Sequence, residues 1–263
     1  MTTRQSLMQG KRGLIMGVAN DHSIAWGIAR TLAEHGAELA FTFQDENFEK
    51  RVRPLMHSVG SVVAAQCDVA DDSSIDRAFE TVGAAWDGLD FVVHAIAFSD
   101  KAELKGRYLD TTRENFTRSL EISCYSFTAV ARRGAAMMEN GGSILTLTYA
   151  GSRRVMPNYN IMGVAKAGLE ASTRYLAADL GPDGIRVNAI SAGPMRTLAG
   201  AAIGGARFVM KWQAENAPLR RSVTLDEVGG AALFLLSDQG MGTTGEIIHV
   251  DAGYNIVGMA SPD

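Results

Sequence analysis

Proline is scarce in this chain, with six in 263 residues, and cysteine is scarcer, with two. So little proline leaves helices and strands uninterrupted and excludes a polyproline or collagen-like chain; the 28 glycines keep no three-residue period. Cys67 and Cys124 are too few for a disulfide framework and suit reduced thiols, so a cytoplasmic protein is expected. No window approaches the roughly 18 uninterrupted apolar residues of a membrane helix, and no membrane insertion is expected. The start, MTTRQSLMQGKRG, lacks the apolar core of a secretory signal. Basic residues do not outnumber acidic ones, 25 against 29, and a net charge of −4 argues against a nucleic-acid binder. Five histidines (His22, His35, His57, His94 and His249) show no zinc-ligand spacing, so no metal is expected. Neither a G-x-S-x-G elbow nor a Walker loop occurs.

What is present is a regular alternation of apolar runs. Strand-length runs lie at Leu14–Val18, Ala37–Phe43, Ser61–Gln66, Leu89–Ala95, Ser143–Thr148, Ile185–Ile190 and Glu246–Val250. Between them, Ile24–His35, Glu46–Val59, Ser73–Trp86, Asn115–Asn140, Tyr159–Leu180 and Thr224–Leu236 carry apolar residues at helical spacing. Strands as apolar as Phe91-Val92-Val93 need cover on both faces, which is the habit of parallel sheets. The expectation is an α/β, doubly wound Rossmann domain: a seven-stranded parallel sheet with helices on both faces. No repeat or linker divides residues 1–263, so one domain is expected. The stretch 194–217 breaks the rhythm and is too long for an ordinary connection, as binding lids are.

Ligands of such sheets bind beyond the carboxyl ends of the strands. The first strand leads into GVANDHSIAWGIA, which is not G-x-G-x-x-G and keeps only Gly17 and Gly27. Gly17 allows a tight turn against a pyrophosphate; Ser23 stands where the helix begins, either as a phosphate contact or as a plain N-cap. Strand two ends in Gln44, then Asp45 and Glu46. A neutral Gln44 suits ribose hydroxyls, and two carboxylates repel a 2′-phosphate, so NADH is favoured over NADPH. Asp68, after strand three, either accepts from an adenine amino group or caps the following helix.

Strand five runs into Tyr149, and a long helix opens at Tyr159 with Lys166 two turns further on. Tyr159 and Lys166 share a face about 10 Å apart along the axis, a span that a nucleotide ribose can bridge. A lysine ammonium there steadies the ribose and favours a phenol acting as donor. Most isolated Tyr–Lys pairs are surface coincidences. This one opens the helix after strand five of a nucleotide-binding sheet.

The segments GVANDHSIAWGIA, LTYAGSRRVMPNYNIMGVAKAGLEASTRYLA and RVNAISAGPMRTLA resemble the NADH-dependent enoyl-acyl-carrier-protein reductases of bacterial fatty-acid synthesis, a divergent branch of the short-chain dehydrogenase/reductases. The likeness spans essentially the whole chain, and its most specific mark is Tyr-x6-Lys in place of Tyr-x3-Lys. It implies hydride transfer from NADH to the β-carbon of a trans-2-enoyl thioester, an acyl carrier protein as partner, and a homotetramer. It implies catalytic roles for Tyr149, Tyr159 and Lys166. Cofactor contacts are implied at Gly17, Ser23, Ile24, Gln44, Asp68, Val69, Ile96, Lys166, Met195, Arg196, Thr197, Leu198 and Ala199. Substrate contacts are implied at Ser99, Tyr149, Tyr159, Met162 and Ile203.

Tyr159 is expected to donate to the carbonyl oxygen as charge develops there; the α-carbon proton comes from Tyr159 or a water relay. The stretch 194–217 is read as a substrate lid, with Arg207 and Lys211 facing an acidic carrier. Gly204-Gly205-Ala206 departs from the charged or bulkier residues of many relatives. Two other readings are a carbonyl-reducing short-chain dehydrogenase and a non-catalytic dinucleotide sensor. The Tyr-x6-Lys spacing opposes the first, and the presence of both Tyr and Lys opposes the second.

Overall fold

The computed structural model describes residues 6–198, 200 and 204–259. Seven strands form one sheet: β1 (Arg12–Met16), β2 (Glu38–Phe43), β3 (Val63–Gln66), β4 (Phe91–His94), β5 (Gly142–Thr148), β6 (Ile185–Ala192) and β7 (Ile247–Val250). Every neighbouring pair is parallel, and the order is β3-β2-β1-β4-β5-β6-β7. All seven expected strands are present. The first starts earlier than its apolar run because Arg12 and Gly13 already pair with Glu38 and Leu39, and it stops where Gly17 turns at φ +95°.

Alternation along the strands feeds two cores. Leu14, Met16, Val92, Ile144 and Val187 face α3 (Asp72–Ala85), α5 (Ser126–Ala135) and α6 (Asn160–Leu180). Ile15, Phe41, Phe91, Val93, Leu145 and Ile190 face α1 (Ile24–Glu34), α2 (Glu46–Ser58) and α8 (Leu225–Leu236). Phe41, Phe91 and Phe127 are fully buried, each contributing about 2–3 kcal/mol of hydrophobic stabilisation. Opposite faces of the same strand are thus both covered, as the continuous apolar runs require.

Two segments differ from a simple helical reading. The expected helix Asn115–Asn140 divides into α4 (Arg113–Leu120), a π-helical turn at Glu121–Tyr125, and α5, which ends at Ala135. An extra residue in the turn leaves the apolar spacing on either side intact, so periodicity alone does not reveal it. Within the expected lid stretch, α7 (Ala206–Asn216) is a regular helix that follows Gly205 at φ +78°. The carboxyl ends of all seven strands lie on one edge, and β1 and β4 meet there with their connections leaving in opposite directions.

Candidate active site

A cavity of about 910 Å³ opens along that edge, reaching from Gly17 and Gln44 at one end to Tyr159, Val209 and Met210 at the other. Gly17 is indispensable to its narrow floor. A Cβ built there would stand 2.1 Å from the carbonyl oxygen of Ala95, in a conformation that side chains avoid. The loop after Gly17 is closed by Ser23, whose hydroxyl accepts from the backbone N–H groups of Ala19 (3.0 Å) and Asn20 (3.1 Å). Ser23 occupies the N-cap position of α1, yet its side chain does not cap the helix, and no acidic residue lies in the first turn. The positive helix end thus remains available to an anionic group at the cavity wall.

Gln44 and Asp68 line the same end beyond β2 and β3. Asp45 is the N-cap of α2, accepting from Asn47 and Phe48, so its carboxylate is committed to the helix. The capping alternative for Asp68 falls to Asp71, which accepts from Ser73 N and caps α3. Asp68 instead accepts from Ala70 N at 3.0 Å.

At the other end, Tyr159 sits at the N-cap of α6 between two residues with left-handed backbone, Asn158 (φ 57°) and Asn160 (φ 32°). Asparagine tolerates that region better than most residues. Both are also anchored: Asn158 Nδ2 donates to Gly204 O (2.6 Å), and Asn160 Nδ2 donates to Glu103 O (3.1 Å). The ring of Tyr159 packs closely against Gly151, where a Cβ would stand 2.4 Å from it. Burial, with Tyr149 adding to it, raises the Tyr159 hydroxyl above the ordinary phenol range; burial pushes Tyr149 up to about 12. Both remain protonated donors at neutral pH.

Lys166 is 6% exposed, and its Nζ donates to the carbonyl oxygen of Leu147 at 2.8 Å. Burial lowers its pKa to about 8, opposed by Cys124 and Glu170 nearby. An amine of this kind is cationic at neutral pH and still close to its titration. His94, at the end of β4, is fully buried between Thr146 Oγ1 and Ser126 Oγ; burial and the Lys166 charge depress it to about 3. It is a neutral structural residue.

The residues expected at the site are gathered in one cavity: Gly17, Ser23, Ile24, Gln44, Asp68, Val69, Ile96, Ser99, Tyr149, Tyr159, Met162, Lys166, Met195, Thr197 and Leu198 all line it. Arg196 does not; it is exposed and outside the lining, because the turn at Met195–Thr197 points it to solvent. Ala199 and Ile203 lie outside the described residues. Sequence reasoning missed Ser123, which the π turn buries completely. Its hydroxyl both accepts from Phe98 N and donates to Phe98 O, each at 2.9 Å, fixing the peptide next to Ser99. Glu170 was missed as well: an acidic residue on a long helix reads as surface, yet it is 5% exposed. Among the described residues no cluster of metal-ligating side chains occurs.

The cavity fits a dinucleotide on its own geometry: a free helix terminus, a glycine floor, a neutral amide at the β2 end and a buried amine at the far end. Fold and site together define a nicotinamide-dependent oxidoreductase. The family model described as Enoyl-(Acyl carrier protein) reductase matches residues 17–255, and the chain belongs to that family. It is 64% identical over 253 residues to the enoyl-(acyl-carrier-protein) reductase (NADH) 2 of Rhizobium meliloti (strain 1021), covering 96% of this chain and 94% of the relative. The crystal structure of the reductase from Anaplasma phagocytophilum in complex with NAD superposes with a TM-score of 0.94 at 58% identity, covering 97% of each chain. The Bacillus cereus enoyl-acyl carrier protein reductase, crystallised with NADP+ and indole naphthyridinone, gives 0.94 at 50% identity over 96% of this chain and 99% of that one.

Proposed function

We propose that this chain reduces the carbon–carbon double bond of a trans-2-enoyl thioester borne on acyl carrier protein, with NADH as the reductant. The observation that carries the reading is the buried pair Tyr159 and Lys166 in the same cavity as the free end of α1. The backbone of Ile24 and Ala25 at that helix end would hold the pyrophosphate, Gln44 the adenosine ribose, Asp68 the adenine, and Lys166 the nicotinamide ribose. When bound, the reduced cofactor supplies a hydride for the β-carbon.

Tyr159 then acts as a donor. Its hydroxyl, kept protonated by burial, donates to the thioester carbonyl oxygen as negative charge gathers there. Tyr149 closes the pocket beside it, and Met162 forms an apolar wall. The segment beyond Pro194, with Val209 and Met210 on its inner side, is the lid over the acyl chain. Arg207 and Lys211 on α7 suit an acidic carrier. Exposed Tyr125, Val164 and Tyr175 offer apolar surface for assembly, consistent with a homotetramer, which light scattering on a sizing column tests. Cytoplasmic residence fits two free cysteines, and no described helix is long and apolar enough to cross a membrane.

The deciding assay follows NADH oxidation with a crotonyl thioester beside simple ketones. Oxidation with the thioester alone is expected. Turnover of ketones only makes the chain a carbonyl reductase, and NADH binding with no turnover of either makes it a dinucleotide sensor.

A further inference from the structure

Glu170 lies one turn beyond Lys166 on α6, four residues along the same face. Its carboxylate is taken out of water and met by donors: Thr148 Oγ1 at 2.8 Å and Ser152 Oγ at 2.5 Å, both on Oε1. Arg153 Nε lies 3.8 Å from Oε2, on a side chain that is 61% exposed. Thr148, Ser152 and Arg153 flank Tyr149 in the chain on both sides. A single buried group therefore ties down both ends of the segment that carries Tyr149.

A clamp of two hydroxyl donors does not require a charge, because a neutral amide oxygen accepts both equally well. Keeping an anion out of water is unfavourable unless a cation answers it. Among the described residues Arg153 is the one cation within ion-pair distance, but its side chain is 61% exposed and solvent screens its charge, which makes it a weak answer. The buried cation is Lys166. We propose that Glu170 is a positioning residue for the reduction, its buried carboxylate fixing the Tyr149 segment to α6 and setting a negative charge one helical turn from the Lys166 ammonium. This rests on the function proposed above for the Tyr159–Lys166 site.

The groups around the amine support the assignment. Burial opposes the charged amine, Cys124 from the π turn and Glu170 both favour it, and its charge helps to keep buried His94 on β4 neutral. Tyr149 and Tyr159 share the cavity as protonated phenols. Arg153 is the one cation facing Glu170 in an ion pair among the described residues.

The test is Glu170→Gln, which retains an acceptor for both hydroxyls and loses only the charge. NADH binding is titrated by nicotinamide fluorescence from pH 6 to pH 10, with thermal unfolding as the check on folding. The midpoint at which affinity is lost is expected to fall by about one pH unit, so that near pH 8 the variant binds several-fold more weakly while at pH 6 it matches the wild type. An unmoved midpoint overturns the electrostatic role. Should Glu170→Gln fail to fold, Glu170→Asp keeps the charge on a shorter side chain: the midpoint is expected to stay in place while turnover falls, and a midpoint that drops by a full pH unit overturns the proposal. Ser152→Ala loosens the segment and keeps the charge; turnover is expected to fall about threefold to tenfold with the midpoint in place, and full turnover overturns the clamp. A wild type that binds NADH with this midpoint yet does not reduce crotonyl thioester overturns the activity and not the linkage.

Discussion

The rings of Tyr149 and Tyr159 meet edge to face, with centroids 5.1 Å apart and planes at 67°. The contact belongs to a small cluster with Leu104, Ile161 and Met162, so each ring helps to hold the other. Replacing either hydroxyl by hydrogen leaves this packing in place and isolates the donor. Tyr159→Phe is expected to slow the reduction by roughly 10²–10³ with NADH affinity nearly unchanged, the scale of one lost oxyanion donor. Tyr149→Phe is expected to fall much less. Steady-state rates beside NADH titrations decide; a fully active Tyr159→Phe would transfer the donor role to Tyr149.

At the Gln44 end of the cavity, a preference for NADH over NADPH is expected. Gln44 is neutral, and the carboxylates of Asp45 and Glu46 follow at the start of α2. Turnover with NADPH is expected to be lower than with NADH at equal concentration. Gln44→Arg supplies a bidentate partner for a 2′-phosphate and should move the ratio of kcat/KM toward NADPH by about tenfold or more. A ratio that stays put rejects Gln44 as the determinant.

Gly151 carries a different prediction. A methyl group there would stand 2.4 Å from the Tyr159 ring, so Gly151→Ala must displace the ring or the short helical turn at Ala150–Ser152. Neither change reaches the far end of the cavity. The variant is expected to lose at least tenfold in kcat while binding NADH within about twofold of wild type, because a misplaced catalytic group is penalised far more than a remote contact. Equal losses in both quantities would mean a general loosening of α6.

The stretch 194–217 is expected to behave as a lid. Val209 and Met210 line the cavity, whereas Phe208 and Trp212 stack on each other at 6.1 Å on the outside, 63% and 44% exposed. Hydrogen exchange with and without NADH plus a saturated acyl thioester measures the change. Protection that rises on binding supports closure over the chain; strong and equal protection in the free protein makes the stretch a fixed wall.

The sequence carried the sheet plainly, because parallel strands covered on both faces are continuous apolar runs, and Phe91-Val92-Val93 has no other economical reading. Tyr159 and Lys166 were legible because helical spacing puts them on one face. Their immediate partners were not. Lys166 donates to the Leu147 carbonyl, a backbone group that no side-chain pattern announces. Ser23 turns back onto Ala19 and Asn20 because the loop is longer than the usual glycine-rich turn, and loop closure is a three-dimensional matter. Glu170 was hidden by the habit of reading charge on a helix as solvated. The Asn158-Tyr159-Asn160 triplet was the one local signal left unused, since asparagine is the side chain that most readily accepts a left-handed backbone.

The π turn at Glu121–Tyr125 amounts to one residue more than a straight helix needs, and its hydroxyl at Ser123 is what grips the Phe98 peptide. Deleting a single residue there would let α4 and α5 merge into one uninterrupted helix, recovering regular i→i−4 bonding. It would also rotate everything on one side of the deletion by about 100° relative to the other. Ser123 could not keep its grip through that rotation. The irregularity is thus an exchange of helix regularity for a fixed Phe98 peptide at the cavity wall, and thermostability selection on this protein would favour its removal at the expense of that fixed geometry.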